Sequence, residues 1–439
     1  MKLASRTPGP SSALTRTLAG MAAGLGMAGG AFAQGDNNPP AGPVTYVYKT
    51  LDQVEPRKPI SLLTTPGDAD SVYRITQAGS YYLTGNVVGV AGKSGIEVAA
   101  TSGVTIDLRG FDIVGVQTGL DGIKGPAAGG SICIRNGAIY GWGGDGIDLE
   151  SDFVVHITGV RVSGNSGSGM KAGDGAVIVE CNADSNTLDG IAVKFNGTIS
   201  NCVSQLNGGD GFDVSDGTCI SNCAANNNTG EGIHGVMQSG SGTGGMSVTN
   251  SVARNNRLGG IRADTVTGCT AAANGTASGG FGIQAYVVRN STSSNNLGFG
   301  IQGNQVTGCY VSSNTRIGIY NTTGAAYVAE NTVNANSEDG INVFGNSSVL
   351  RNTVIGNGTI GGFVGGITAS GAGVRIEGNN LVNNRYHVRT STGSCVIVSN
   401  TLRGAVVADY SFGGVNALGD SIAAGASLTT VSAWANLKY

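Results

Sequence analysis

Apolar and polar residues alternate over short runs along most of the chain, and no stretch shows the 3.6-residue spacing of an amphipathic helix. Short alternating runs predict β-strands with one face buried. The runs recur with a fixed mark, a glycine followed by a bulky apolar residue. It appears at Gly95-Ile96, Gly122-Ile123, Gly146-Ile147, Gly169-Met170, Gly190-Ile191, Gly211-Phe212, Gly232-Ile233, Gly260-Ile261, Gly282-Ile283, Gly300-Ile301, Gly318-Ile319, Gly340-Ile341 and Gly366-Ile367. His387-Val388 continues the series without the glycine. Successive apolar anchors lie 18 to 28 residues apart. That length holds three short strands and three turns. One such coil cannot bury its inner face alone, so the coils must stack. The pattern predicts an all-β fold, a right-handed parallel β-helix (a solenoid) of about 13–14 coils with terminal caps. A leucine-rich repeat has a similar period but needs a Leu/Asn signature that is missing, and a propeller blade needs about 40 residues.

Two further columns keep the same register. Ten residues before the anchors stand Gly137, Val160, Cys181, Cys202, Cys223, Ser251, Ser291, Cys309 and Asn331. Asn352 continues this column if its coil carries an insertion before Ile367, and five after its members most coils carry an Asn: Asn165, Asn186, Asn207, Asn228, Asn256, Asn296, Asn314, Asn336 and Asn357, with Cys269 and Asn274 fitting if their coil carries an insertion before Ile283. Asn tolerates the left-handed backbone of a tight turn, and stacked amides can bond along the rod. Parallel in-register strands point neighbouring Cβ atoms the same way, so Cys181, Cys202 and Cys223 are expected as buried free thiols rather than disulfides.

Composition changes the picture in two ways. Glycine reaches 76 of 439 residues with only 9 prolines, which excludes collagen, and 12% charged against 40% hydrophobic residues excludes a disordered chain. Prolines also divide the chain. Six lie between residues 34 and 66, and none follows Pro126, as a long stack of strands requires. Before them, Lys2, Arg6 and Arg16, a short apolar stretch and Ala31-Phe32-Ala33 read as a cleaved secretory signal. The expected organisation is a signal peptide at 1–33, a Pro-rich N-terminal segment at 34–70, the β-helix at 71–403 and a C-terminal cap at 404–439. The mature chain is expected to be a monomer without a transmembrane segment, secreted, periplasmic or at a bacterial cell surface. Net charge is −3 and becomes more negative without the leader, which argues against a nucleic-acid partner.

The segments AGSYYLTGNVVG (78–89), GIEV (95–98) and VTIDLRGFDIVG (104–115) resemble the opening coils of bacterial exported right-handed β-helix repeat proteins. IEGNNLVNN (376–384), VIVSNT (396–401) and AWANLKY (433–439) resemble their closing coils. That group belongs to the pectate-lyase-like superfamily of carbohydrate-binding proteins and sugar hydrolases, so the resemblance, over residues 71–439, implies a polysaccharide partner. The chain departs from the pectin-hydrolysing pattern. NTLD (186–189), GGDGFD (208–213), IHG (233–235) and GIRA (260–263) are only echoes of its motifs, and no adjacent Asp pair occurs.

Chemistry concentrates in two polar columns. The residue after each anchor points outward and reads Lys124, Asp148, Lys171, Ala192, Asp213, His234, Arg262, Gln284, Gln302, Tyr320 and Asn342. Two before each anchor stand Asp121, Asp145, Ser168, Asp189, Asp210 and Glu231. Asp210, Asp213, Glu231 and His234 form the candidate catalytic group, since carboxylates in different environments can divide acid and base roles. Asp145, Asp148, Lys171, Asp189 and Arg262 are candidate binding residues, with Arg262 suited to a uronate carboxylate. Asp189, Asp210 and Glu231 also offer hard oxygens to Ca²⁺. Against these stands a structural reading, in which Asp-Gly pairs only make turns and mixed charges only pair on a solvated face. Three functions follow: an exported β-helix that engages polysaccharide or the cell envelope without catalysis, a lyase or glycoside hydrolase acting on acidic (uronate) polymers, or a structural surface rod.

Overall fold

A computed structural model describes residues 54–236, 245–276, 279–321, 323–423 and 432–439. The expected signal peptide and the first part of the Pro-rich segment lie outside the described residues. Leu51–Tyr439 forms one compact unit.

The strands stack into three parallel sheets wound as a right-handed β-helix, and each coil contributes one strand to each sheet. The anchor sheet holds the Gly-apolar marks, as in Ile191–Val193. The second sheet follows (Thr198–Ser200) and then the third (Val203–Gln205), before the chain returns to Phe212–Val214. Every anchor pairs with the next as the spacing predicts, from Ile96↔Ile123 through Ile191↔Phe212 and Phe212↔Ile233 to Ile367↔Val388. All fourteen are fully buried. The anchor sheet has sixteen rungs, two more than the anchors number. Ser71–Ile75 precedes the series and Ala408–Phe412 follows it, with Tyr73 and Tyr410 in register with Ile96 and Val388. Neither carries a Gly-apolar mark, so periodicity does not reveal them. At the first end, Lys58–Pro59 pairs with Tyr81–Tyr82 as the edge strand of the second sheet, where proline is tolerated.

Asparagine ladders hold the turns. Eleven residues from Asn165 to Asn384 are linked side chain to side chain, each Nδ2 donating to the next Oδ1 at 2.9–3.1 Å. Each Oδ1 after that of Asn165 also accepts the backbone N–H of the preceding ladder residue, as Asn228 Oδ1 does from Asn207, and Asn165 Oδ1 accepts that of Trp142. One buried hydrogen bond of this kind contributes about 1 kcal/mol. The ladder residues do not adopt the left-handed backbone expected of them. The residue before each does, at Ser185, Leu206, Asn227 and Asn255 (φ 55–56°), which leaves the ladder Asn free to turn its amide inward.

The cysteine column works by the same logic. Cys202 Sγ accepts from Cys181 N, Cys223 Sγ from Cys202 N, Ser251 Oγ from Cys223 N, and Asn331 Oδ1 from Cys309 N. Cys, Ser and Asn interchange there because each supplies a small acceptor. All eight cysteines are free.

The anchor glycines serve space rather than turning, since none has a positive φ. A Cβ on Gly211 would lie 2.5 Å from the Gly232 carbonyl oxygen and 2.7 Å from Asn228 Nδ2. The amide ladder and the next rung's carbonyl fill the place of a side chain.

Candidate functional site

Both polar columns lie on the outer side of the anchor sheet. The residue after each anchor follows it in the strand, so alternation turns it outward, and Lys171, Asp213, His234, Arg262, Gln284 and Gln302 are all half-buried. The residue two before the anchor sits where the chain turns into the sheet.

In the first half of the sheet this earlier position is a capping ladder. Asp121 Oδ1 accepts the Asp145 N–H at 2.8 Å, Asp145 Oδ1 that of Ser168 at 2.6 Å, Asp189 Oδ1 that of Asp210 at 2.7 Å, and Asp210 Oδ1 that of Glu231 at 2.5 Å. One oxygen of each carboxylate thus satisfies the next coil's backbone. The other oxygen meets the outward column. Asp121 Oδ2 lies 3.3 Å from Lys124 Nζ, Asp145 Oδ2 3.0 Å from Lys171 Nζ, and Asp210 Oδ2 3.4 Å from His234 Nδ1.

The structure sorts the candidate residues. Asp210, Asp213 and His234 come together, with ligand atoms within 4.8 Å of one another. His234 Nδ1 hydrogen-bonds Asp213 Oδ1 at 2.8 Å. That bond raises the imidazole pKa above its usual value against the opposing effect of burial. Burial pushes the Asp210 carboxyl up to about 6 and raises Asp189 as well. Glu231 stands apart. Its two oxygens lie 3.1 and 3.0 Å from Arg262 Nε, and it is 7% exposed. Asp145 and Lys171 pair with each other, three rungs from His234. Asp148 lies in register with Lys171. A cleft of about 440 Å³ runs beside the cluster, lined by Lys171, Asp189, Lys194, Phe195 and Asp213 among others.

Of the residues offered above to Ca²⁺, Glu231 is held by Arg262, and Asp189 and Asp210 each commit one oxygen to a backbone amide. The set that does form, two carboxylates and an imidazole, suits a transition metal better than Ca²⁺, which takes six to eight oxygens.

Beyond Glu231 the earlier column changes chemistry, a feature that continuing the same count would have revealed. It reads Gly259, Phe281, Phe299 and Ile317 and returns to acid at Asp339. Phe281, Phe299 and Ile317 form an apolar cluster outside the main core, with Tyr320 packed on it. Arg262 lies over Phe281 at 5.0 Å and Arg316 over Phe299 at 4.0 Å, while Phe299 and Tyr320 stack at 4.9 Å. Trp142 belongs to none of this. It is fully buried in the core, its Nε1 donating to the Ile113 carbonyl.

Residues 75–250 match a family model described as a right handed beta helix region. No curated protein matches the sequence. Among solved structures, the chain is similar to the A-module of a mannuronan C-5 epimerase from Azotobacter vinelandii. Identity is 15% and the TM-score 0.27, over 77% of this chain and 91% of that one. A second similar structure is a tailspike protein of Acinetobacter baumannii bacteriophage Fri1, a capsular polysaccharide depolymerase. Identity there is 13% and the TM-score 0.35, over 80% of this chain and 61% of that one. A third is a surface adhesin of Streptococcus pneumoniae, at 10% identity and a TM-score of 0.27, over 77% and 82%.

Proposed function

We propose that this protein, a right-handed parallel β-helix repeat protein, engages a polysaccharide laid along the outer side of its anchor sheet, outside the cytoplasm. One observation carries the reading. A column of half-buried side chains, polar at every rung but Ala192, runs up this sheet from Asp148 to Asn342, opening into a cleft of about 440 Å³ beside Asp213 and a pocket of about 270 Å³ beside Gln302. A flexible hydroxyl-rich chain can meet several such groups at once, since rungs repeat every ~4.8 Å. Affinity electrophoresis through gels loaded with bacterial and plant polysaccharides tests this. At least one polymer should retard the protein, and mobility unchanged by every polymer would leave the structural rod as the better account.

The Asp210 carboxyl favours a second reading, glycan cleavage. With a pKa near 6 it stays partly protonated at mildly acidic pH and can act as a general acid, while Asp213, bonded to His234, supplies a base. Glu231, whose carboxylate Arg262 holds, donates its backbone N–H to Asp210 Oδ1 and so positions that carboxyl rather than reacting. A reducing-end assay on any retained polymer decides. Cleavage that falls above about pH 6 and disappears in Asp210→Asn and His234→Ala supports catalysis, and a retained but uncleaved polymer leaves binding alone.

A further inference from the structure

The anchor sheet changes character at Arg262. On one side of it the outward column is charged at every rung from Lys124 to His234 but that of Ala192; on the other it reads Gln284, Gln302, Tyr320 and Asn342. Against Tyr320 packs the apolar cluster of Phe281, Phe299 and Ile317. The pocket of about 270 Å³ opens here, lined by Gln284, Gln302, Asn304, Tyr320 and Asn321 among others. Among the described residues lining it the sole cation is Arg262, whose charge Glu231 already answers. Asn321 is 1% exposed, and its Oδ1 has no hydrogen-bond partner while its Nδ2 lies 3.3 Å from Asn304 Oδ1.

These groups suit one class of ligand. Amide side chains both donate and accept, as neighbouring hydroxyls require, and a tyrosine ring offers an apolar face to the C–H side of a sugar. A carboxylate entering here would lose hydration and find no free cation in return. We infer that this pocket is a subsite for a neutral, hydroxyl-rich sugar ring, so that the polysaccharide engaged by the sheet is neutral at this point and is not a continuous polyuronate. The inference rests on the polysaccharide reading above and narrows it. The Gln302 rung lies three rungs from that of His234, or ~14 Å at the ordinary strand spacing, so one glycan chain can span both. The acidic half points the same way, since Asp148 and Asp189, which lie outside the pairs made by Lys171 and His234, would repel a polyuronate.

Calorimetric titration of the full chain tests this with neutral hexaoses (glucan, mannan, galactan and xylan) and with hexamers of galacturonate and mannuronate. A neutral hexaose should bind, and Gln302→Glu and Tyr320→Ala should each weaken it about tenfold or more, which corresponds to one good contact. Both side chains are half-buried on the outer face, and unchanged thermal melting will show that the variants remain folded. Binding of uronate hexamers alone, or neutral binding unaffected by both substitutions, would overturn the subsite while leaving the polysaccharide reading in place. Binding of no hexamer of either class would remove both.

Discussion

The two halves of the anchor sheet share one backbone plan and solve the same problem differently. From Asp121 to Asp210, in every coil but that of Ser168, the turn before the anchor is held by a carboxylate that accepts the next coil's amide. From Gly259 to Gln302, no such carboxylate exists, and the strands themselves reach further back. Gly259–Thr267, Gly280–Arg289 and Gly298–Gln302 all begin before their anchors, and Phe281 pairs directly with Phe299. In the acidic half the strands at Ile147, Met170, Ile191 and Phe212 begin at the anchor itself. Backbone pairing and side-chain capping are thus alternatives at one position. Where the strand caps itself, the side chain is released, and at Phe281 and Phe299 it joins an apolar cluster. Asp339 marks the return to capping, since its Oδ1 accepts the Gly365 N–H at 2.6 Å.

The exchange Phe299→Asp should break this difference most severely. It places an acid where the backbone is already paired, and it removes a ring that packs on Phe281, Ile317 and Tyr320. Loss of packing together with an unpaired carboxylate should cost about 3–5 kcal/mol, read as a lower urea midpoint. Arg262→Ala strikes the boundary. It strands Glu231 and uncovers Phe281, for a loss of about 2 kcal/mol, and Glu231→Gln in the same chain should recover part of it. Asp189→Ala leaves the Asp210 amide without its acceptor and should cost about 1–2 kcal/mol, whereas Gln284→Ala in the other half should be nearly neutral.

A pH profile sharpens the contrast further. Burial raises the Asp210 carboxyl from 3.8 to about 6, so the folded state binds this proton more tightly than the unfolded chain. Its contribution to stability is full below about pH 4 and is lost as pH rises through 6. Asp210→Asn should flatten the fall in melting temperature across that window. Asp152, 1% exposed and pushed by burial up to about 7, should behave alike over a wider window, so Asp152→Asn should melt a few degrees higher than the parent at pH 8 and no higher at pH 4.

Much of this was legible in the sequence. The anchor spacing specifies the register of the sheet over thirteen steps, because a buried inward face tolerates no slip. The asparagine column reads correctly as a bonded ladder. Purely spatial features were not legible. The anchor glycines look like turn residues and are instead places where an amide ladder leaves no room for a Cβ. The pairing of Glu231 with Arg262 depends on a long side chain reaching across rungs, which no spacing encodes. Phe281 and Phe299 carry a signal that was available in the count from the anchor, but an aromatic residue in a β protein reads first as core. Asp152 has no signal at all, since its burial comes from packing against the turn at Gly125 and Gly130.

A glycan bound as proposed lies along the anchor sheet, across the boundary at Arg262. A crystal structure of the protein with the hexaose that binds most tightly tests this directly. The sugar chain should lie over Asp213, His234, Gln284 and Tyr320. Density seated instead in the cleft of about 450 Å³ on the third sheet, against Tyr140, Arg161 and Asp184, would contradict it.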